Sequence, residues 1–354
     1  MRPTARDNRT HAQLRQIRKS GGECNCRSIM FTLDWIDLLA TADGPLYPPV
    51  VSSSATRRGS KVSSAGHGFA GPYQLLNIVN TGQTSQVWQG YHPGTREYAA
   101  VKTLQADFAR DKAHVGFLKW EFAVAGKIEH ERICRVYQFG RDRGVPYLAL
   151  EWCPAPNLKI RIRQDRALVR RHAHRVAIEA TEGVMEFCRR GWVHRDIKPD
   201  NFLVTDEGAV KLIDFGLAQK AKKGFSALIA RKSKVQGTRS YMSPEQIRGK
   251  PLDERADLYS LGCTIFELFS GRPPYTGMSA NDLLMQHIKS PVPSLKTRND
   301  EVTDDLAELL QVAMAKDRDK RHNTIEEFLN QLRAIKIYEA GVDVPSAPEQ
   351  APEK

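Results

Sequence analysis

The chain has 354 residues, of which 41% are apolar, enough to bury the core of one large domain or of two lobes around a cleft. With 53 Lys and Arg against 41 Asp and Glu, the formal net charge is +12. Six cysteines, scattered or in one lone pair, exclude a disulfide framework; no apolar run is long enough to span a bilayer, and the Arg-rich start lacks the apolar block of a secretory signal. These features predict a reducing, cytoplasmic setting. Cys134, Cys153, Cys188 and Cys263 read as buried thiols, and Cys24 with Cys26 lacks the second pair that a zinc site needs.

Residues 1–72 are polar, basic and serine-rich and read as a flexible leader with one short helix at Asp34–Thr41. Residues 1–29 read either as a presequence or as an extension upstream of a start at Met30. At Tyr73 the texture changes. Tyr73–Val79, Gln86–Tyr91 and Glu97–Leu104 read as three strands, with His92-Pro93-Gly94 as a turn. Ala113–Glu129 reads as a helix with Phe117, Glu121, Val124 and Ile128 on one face. A carboxylate on that apolar stripe needs a partner. Tyr147–Glu151 is a further strand, and Val169–Arg190 a long helix stopped by Gly191. Phe202–Val204 and Val210–Ile213 flank the turn Thr205-Asp206-Glu207-Gly208. Ser243 to Lys336 is helical, broken at Gly271–Pro274 and Ser290–Pro293, and residues 341–354 read as a disordered tail. Strands followed by helices predict an α+β chain of two lobes, with an active site at their junction.

The catalytic signals begin just after that junction. The string His194-Arg195-Asp196-Ile197-Lys198-Pro199-Asp200-Asn201 is followed by Asp214-Phe215-Gly216. Asp196 can accept a proton, Lys198 can neutralise a phosphate, and Asn201 and Asp214 can hold magnesium through oxygen. Such residues occur together in many charged loops, but rarely in this order with the second motif behind them. Upstream, Lys102 ends the string Tyr98-Ala99-Ala100-Val101-Lys102.

With these motifs, residues 73–336 resemble a Ser/Thr protein kinase domain, close to the eukaryotic-like kinases of bacteria. The resemblance implies a two-lobed fold, with a small antiparallel-sheet N-lobe carrying one main helix (73–150) and a larger, mainly helical C-lobe (154–336). It implies ATP as phosphate donor, with magnesium or manganese, and protein Ser/Thr hydroxyls as acceptors, in signalling that includes autophosphorylation. Lys102 would hold the α- and β-phosphates and pair with Glu121, Asp196 would be the catalytic carboxylate with Lys198 beside it, and Asn201 and Asp214 would hold the metal. Backbone groups of Glu151 and Cys153 would bond the adenine edge, between Val79, Val87, Ala100, Leu150 and Leu203. Each of those apolar residues, taken alone, reads as ordinary core. Thr238, before Ser243-Pro244-Glu245, favours Ser/Thr acceptors. Asp257–Gly262 would be the buried helix that anchors the catalytic loop, and Arg321 would pair with Glu245.

Two features depart from the family. The glycine-rich loop aligns with Asn80–Val87 and keeps only Gly82, so tolerance of positive φ by Asn80 and the small size of Ser85 are what would let it close. A pseudokinase scaffold or nucleotide-dependent switch is the alternative that this loop supports. The segment from Asp214 to Glu245 is also long. Positive charge concentrates in residues 159–175, with seven basic and one acidic residue, and in 217–239, with seven basic and none acidic. Solvated surface is the plain reading of such runs. The sharper one is recruitment of acidic or already phosphorylated protein substrates by steering. Nucleic acid is disfavoured because no aromatic platform accompanies the charge. Arg195 would meet a phosphate on the segment after Asp214, with Ser233 the expected regulatory site and Ser226 and Thr238 the other acceptors.

Overall fold

The computed structural model describes residues 68–221 and 237–342. The expected helix at Asp34–Thr41, the leader up to residue 67 and the tail from residue 343 lie outside them. The chain is α+β and two-lobed. The first lobe is a six-stranded antiparallel sheet of β1 (Phe69–Ala70), β2 (Tyr73–Thr81), β3 (Ser85–His92), β4 (Glu97–Leu104), β5 (Val136–Asp142) and β6 (Val145–Glu151), in spatial order β1-β2-β3-β4-β6-β5. The sheet reaches back into the stretch read as leader, because Gly71 takes φ +59° and turns Phe69 and Ala70 onto Gln74 and Tyr73. Strand β5 has no counterpart among the expected strands. It is joined to β6 by Arg143 and Gly144, both at positive φ, the geometry of a tight two-residue hairpin turn.

Helix α1 (Lys112–Ala125) packs on β5 and β6. Asp111 caps it, accepting from the N–H groups of Ala113 and His114 at 2.8 and 3.1 Å. It ends at Ala125, short of the expected Glu129. Its buried face is Val115, Leu118, Glu121, Val124 and Ala125. Phe117, expected on that face, is 38% exposed. The true stripe runs through 118, 121 and 125, which turns Phe117 outward.

The second lobe holds α2 (Leu158–Gln164), α3 (Arg166–Arg189), α4 (Pro244–Ile247), α5 (Glu254–Ser270), α6 (Ala280–Lys289), α7 (Asp304–Ala313) and α8 (Ile325–Ala334). Two small ribbons sit against it: β7 (Trp192–Val193) with β10 (Gln219–Lys220), and β8 (Phe202–Val204) with β9 (Val210–Leu212). Helix α5 is buried on all sides from Ala256 to Phe269 and packs against α3, α7 and α8. A helix without a polar face belongs at the centre of a lobe. One apolar core runs from Leu118 and Leu148 of the sheet lobe through Phe187 and Phe215 to Leu258 and Phe328.

Arg321 and Glu245 meet as expected. The guanidinium donates from Nη1 and Nη2 to the two carboxylate oxygens at 2.7 and 2.9 Å, and from Nε to the Ala315 carbonyl at 2.8 Å. Both side chains are buried. Removing one partner strands the other charge in the core. Arg321→Ala is expected to cost about 3–5 kcal/mol and to lower the melting temperature by roughly 10 °C. A loss below about 1 kcal/mol in denaturant unfolding would refute this.

Candidate functional site between the lobes

Lys102 gathers the upper half of the site. Its position in β4, paired with Val87 on one side and Leu148 on the other, aims the ammonium at α1. Nζ lies 2.9 Å from Glu121 Oε2 and 3.6 Å from Asp214 Oδ1. Burial pulls the Lys102 ammonium down, but the charges of Asp214 and Glu121 outweigh it and hold its pKa above the ordinary value. Burial pushes the Glu121 carboxyl up against the pull of Lys102. The Lys102 charge holds Asp214 below the usual carboxylate range. Asp214 sits at φ +64°, a strained backbone for a non-glycine residue. The next residue, Phe215, is fully buried, stacked on Phe187 and edge-on to His194.

Asp196 gathers the lower half. Its Oδ1 accepts from the Thr238 N–H at 2.8 Å and the Thr238 hydroxyl at 3.0 Å. Its Oδ2 is 2.8 Å from Lys198 Nζ. Lys198 Nζ also donates to Thr238 Oγ1 at 2.7 Å. Burial lowers the Lys198 pKa, but Asp196 more than offsets it and the net shift is upward. Asn201 donates through Nδ2 to the Asp196 carbonyl at 2.8 Å. Gly237 precedes Thr238 at φ +120°, and a Cβ there would stand 2.8 Å from the Arg195 carbonyl. Only glycine lets the chain come this close.

Buried Asp257, on α5, fixes the loop that carries Asp196. Its two oxygens accept from the backbone N–H groups of His194 and Arg195 at 2.6 and 2.8 Å. Arg195 is held at φ +71°. Gln246 Nε2 donates to the Arg195 carbonyl at 2.8 Å, so α4 also supports the loop.

The apolar residues expected around a nucleotide come from both lobes. Val87 and Lys102 pair across β3–β4, and Ala100 pairs with Leu150 across β4–β6. Leu203 lies on β8 and bridges Asn157. Val87, Ala100 and Leu203 are half-buried, Leu150 is buried, and Val79 is 44% exposed. The Glu151 side chain is engaged elsewhere, with Lys211 at 2.7 Å and the Arg135 N–H at 3.1 Å. The backbone N–H of Glu151 donates to the Arg135 carbonyl at 2.8 Å. That leaves only its carbonyl side for a ligand edge. The Cys153 carbonyl accepts from the Ala155 N–H at 2.9 Å. The loop at Asn80–Ser85 closes by Gly82 N–H donating to the Ser85 carbonyl at 2.9 Å, and none of its residues has a positive φ. The expected reliance on Asn80 in a left-handed conformation is therefore not how the turn is made.

Asp214 and Asn201 supply hard oxygen donors of the kind magnesium takes, one carboxylate and one amide, with phosphate and water oxygens completing such a shell. The donor set fits.

The basic stretch 159–175 is less open than its composition implies. Lys159 pairs with Glu267, Arg161 with Asp206, Arg170 with Glu301 and Arg175 with Glu179. Most of the second stretch, with Ser226 and Ser233, lies outside the described residues. One residue near the site carries no signal in the sequence: Trp120, whose indole N–H reaches the Ala218 carbonyl at 2.9 Å. No helix among the described residues is long and apolar enough to cross a membrane.

The protein kinase domain model matches residues 73–332. The serine/threonine-protein kinase PknB of Mycolicibacterium smegmatis is 33% identical over 283 residues, covering 78% of this chain and 44% of the relative. A probable serine/threonine-protein kinase PknB of Bifidobacterium longum is 31% identical over 293 residues, covering 78% and 41%. A probable serine/threonine-protein kinase of Streptomyces coelicolor is 31% identical over 270 residues, covering 75% and 40%. The chain therefore spans about two fifths of the length of these curated relatives. With Lys102, Glu121, Asp196, Asn201 and Asp214 converging between two lobes and a family match that covers most of the sequence, the chain belongs to the protein kinase domain family.

Proposed function

We propose that the chain is a serine/threonine protein kinase that transfers the γ-phosphate of ATP to protein hydroxyls, its own included. The carrying observation is that Lys102 holds Glu121 and Asp214 together while Asp196 is held by Lys198 and Thr238. An acceptor hydroxyl oxygen attacks the γ-phosphorus, the bond to the bridging oxygen of ADP breaks, and the hydroxyl proton passes to Asp196. Lys198 stabilises charge on the moving phosphoryl group. Lys102 orients the α- and β-phosphates and depends on Glu121 for its direction. Asp214 and Asn201 would hold magnesium, which would supply charge neutralisation on the phosphates. Val79, Val87, Ala100, Leu150 and Leu203 enclose the adenine, with the Glu151 carbonyl and Cys153 N–H on its edge and Gly82 above the phosphates. Thr238 bonded to Asp196 supports hydroxyl acceptors on Ser or Thr.

Acidic or phosphorylated proteins are the proposed substrates, in cytoplasmic signalling. The support is the sequence of residues 217–239, which carries seven basic and no acidic residues and includes Thr238, whose N–H donates to Asp196. The paired cations of 159–175 contribute little to this.

Purified protein given labelled ATP and magnesium is expected to label itself and a generic protein substrate. Asp196→Asn should lower the rate by about 1,000-fold or more, within the range that acid–base and electrostatic roles together span. Lys102→Met should act mainly on the rate, and EDTA should stop incorporation. Label in Asp196→Asn equal to wild type would refute the assignment. Raising salt from about 50 to 300 mM should slow phosphorylation of an acidic substrate several-fold while leaving the KM for ATP nearly unchanged. Equal salt sensitivity of acidic and basic substrates would refute the proposed preference.

A further inference from the structure

Helix α1 reaches the helical lobe through Trp120, the residue next to Glu121. The Trp120 Nε1–H donates to the Ala218 carbonyl at 2.9 Å, across 98 residues of sequence. Its ring meets Trp192 edge-on, with 5.6 Å between centroids and 83° between planes. Trp192 lies in β7, opposite Lys220 of β10, and Lys220 Nζ stands 4.0 Å over its ring. One indole thus contacts both sides of this ribbon, β7 by its ring and the chain entering β10 by its N–H. The ribbon is the first ordered structure after the Asp214-Phe215-Gly216 turn. Arg195 Nη1 donates to the Leu217 carbonyl at 3.4 Å, so the catalytic loop holds the same segment.

Core packing does not account for Trp120. It is 42% exposed, whereas Leu118 and Val124 on the same helix are buried. Beside it Phe117, Arg195, Leu217 and Ala218 line a cleft of about 420 Å³ with Trp120 itself. Of α1, the Glu121 carboxylate also meets this turn, accepting from the Phe215 N–H, while the indole reaches further along it to Ala218. Successive helix residues point about 100° apart on one rigid rod. Rotation or withdrawal of α1 that breaks the Trp120 contact must therefore also pull Glu121 from Lys102.

We propose that Trp120 is a positioning residue that latches α1 to residues 217–220, so that the Lys102–Glu121 pair and the β7–β10 ribbon form together. Its effect on rate rests on the kinase reading above; the latch itself does not. Hydrogen exchange by mass spectrometry on the full chain without nucleotide tests it, with Trp120→Ala removing ring and N–H and Trp120→Phe removing the N–H but keeping a ring. Peptides covering 112–125 and 217–221 should exchange faster, Trp120→Ala more than Trp120→Phe, while 254–270 is unchanged. The kcat of Trp120→Ala should fall about 10- to 100-fold, the size of effect that small misplacements produce. The kcat loss from Trp120→Phe should vanish in a Glu121→Gln background, because Glu121 is the group through which Trp120 acts. Exchange in 217–221 equal to wild type in Trp120→Ala would overturn the latch, as would independent, multiplying losses in the double variant. If wild type transfers no phosphate but the exchange changes occur, the kinase reading fails and the latch stands.

Discussion

A single ammonium group sets the relation between three parts of the chain. Lys102 is fixed in the sheet by its register with Val87 and Leu148, Glu121 rides on α1, and Asp214 sits on the loop after β9. Two carboxylates brought together repel, and the buried Glu121 alone would be driven toward its neutral form. Lys102 opposes both effects at once, though burial still leaves the Glu121 carboxyl raised, and both carboxylates keep the ammonium charged. An opposite-charge contact near 4 Å is on the order of 4 kcal/mol at the effective dielectric of a protein surface. Withdrawal of several kcal/mol of hydration from each ion opposes that. Neither pair wins by a wide margin alone. The arrangement of sheet, helix and loop is stable where all three charges meet and poor where any one is missing.

The same logic repeats below the cleft with the sign reversed. Asp257 is an acceptor buried among donors, the N–H groups of His194 and Arg195. Its partner residue Arg195 holds a positive φ, as does Asp214 above. Such backbone strain costs about 1–3 kcal/mol per residue and persists only where the surroundings over-determine it. Here a buried carboxylate holds one strained residue, and an ammonium with a fully buried Phe215 holds the other. The loop that carries Asp196 thus gains its direction from Asp257, a buried charge outside the cleft. Helix α5 can play this role because it is buried on every side from Ala256 to Phe269 and is fixed in the core.

Much of this was legible from residue order. The site residues lie in short contiguous strings, and their spacing carries the geometry with it. What stayed hidden was hidden for local reasons. Strand β5 contains a register shift between Val136 and Gln138, which breaks the period-two pattern that marks a strand. Helix α2 reads Leu158-Lys159-Ile160-Arg161-Ile162-Arg163, an alternation proper to a strand, yet Asn157 caps it as a helix and its basic groups find carboxylates. Phe117 was assigned to the buried face of α1 because i,i+4 spacing to Glu121 fits as well as the true i,i+3 row from Leu118. Trp120 was invisible because the carbonyl it serves is 98 residues away.

Charge shows most plainly what composition can and cannot say. Residues 159–175 look like a basic patch, since counting sees seven cations and one anion. In the folded chain four of those cations face Glu267, Asp206, Glu301 and Glu179, each outside the stretch. Lys159 and Glu267 are both largely withdrawn from water. The pairs of Lys159, Arg161 and Arg170 bind α2 and α3 to the rest of the helical lobe, that of Arg175 lies within α3, and paired charges project little field beyond a Debye length of about 10 Å. Residues 217–239 hold no carboxylate, and Lys220, the first cation of the stretch, lies over the Trp192 ring. A count of charges within a run therefore does not give its field, because each carboxylate that meets the cations of 159–175 lies outside the run.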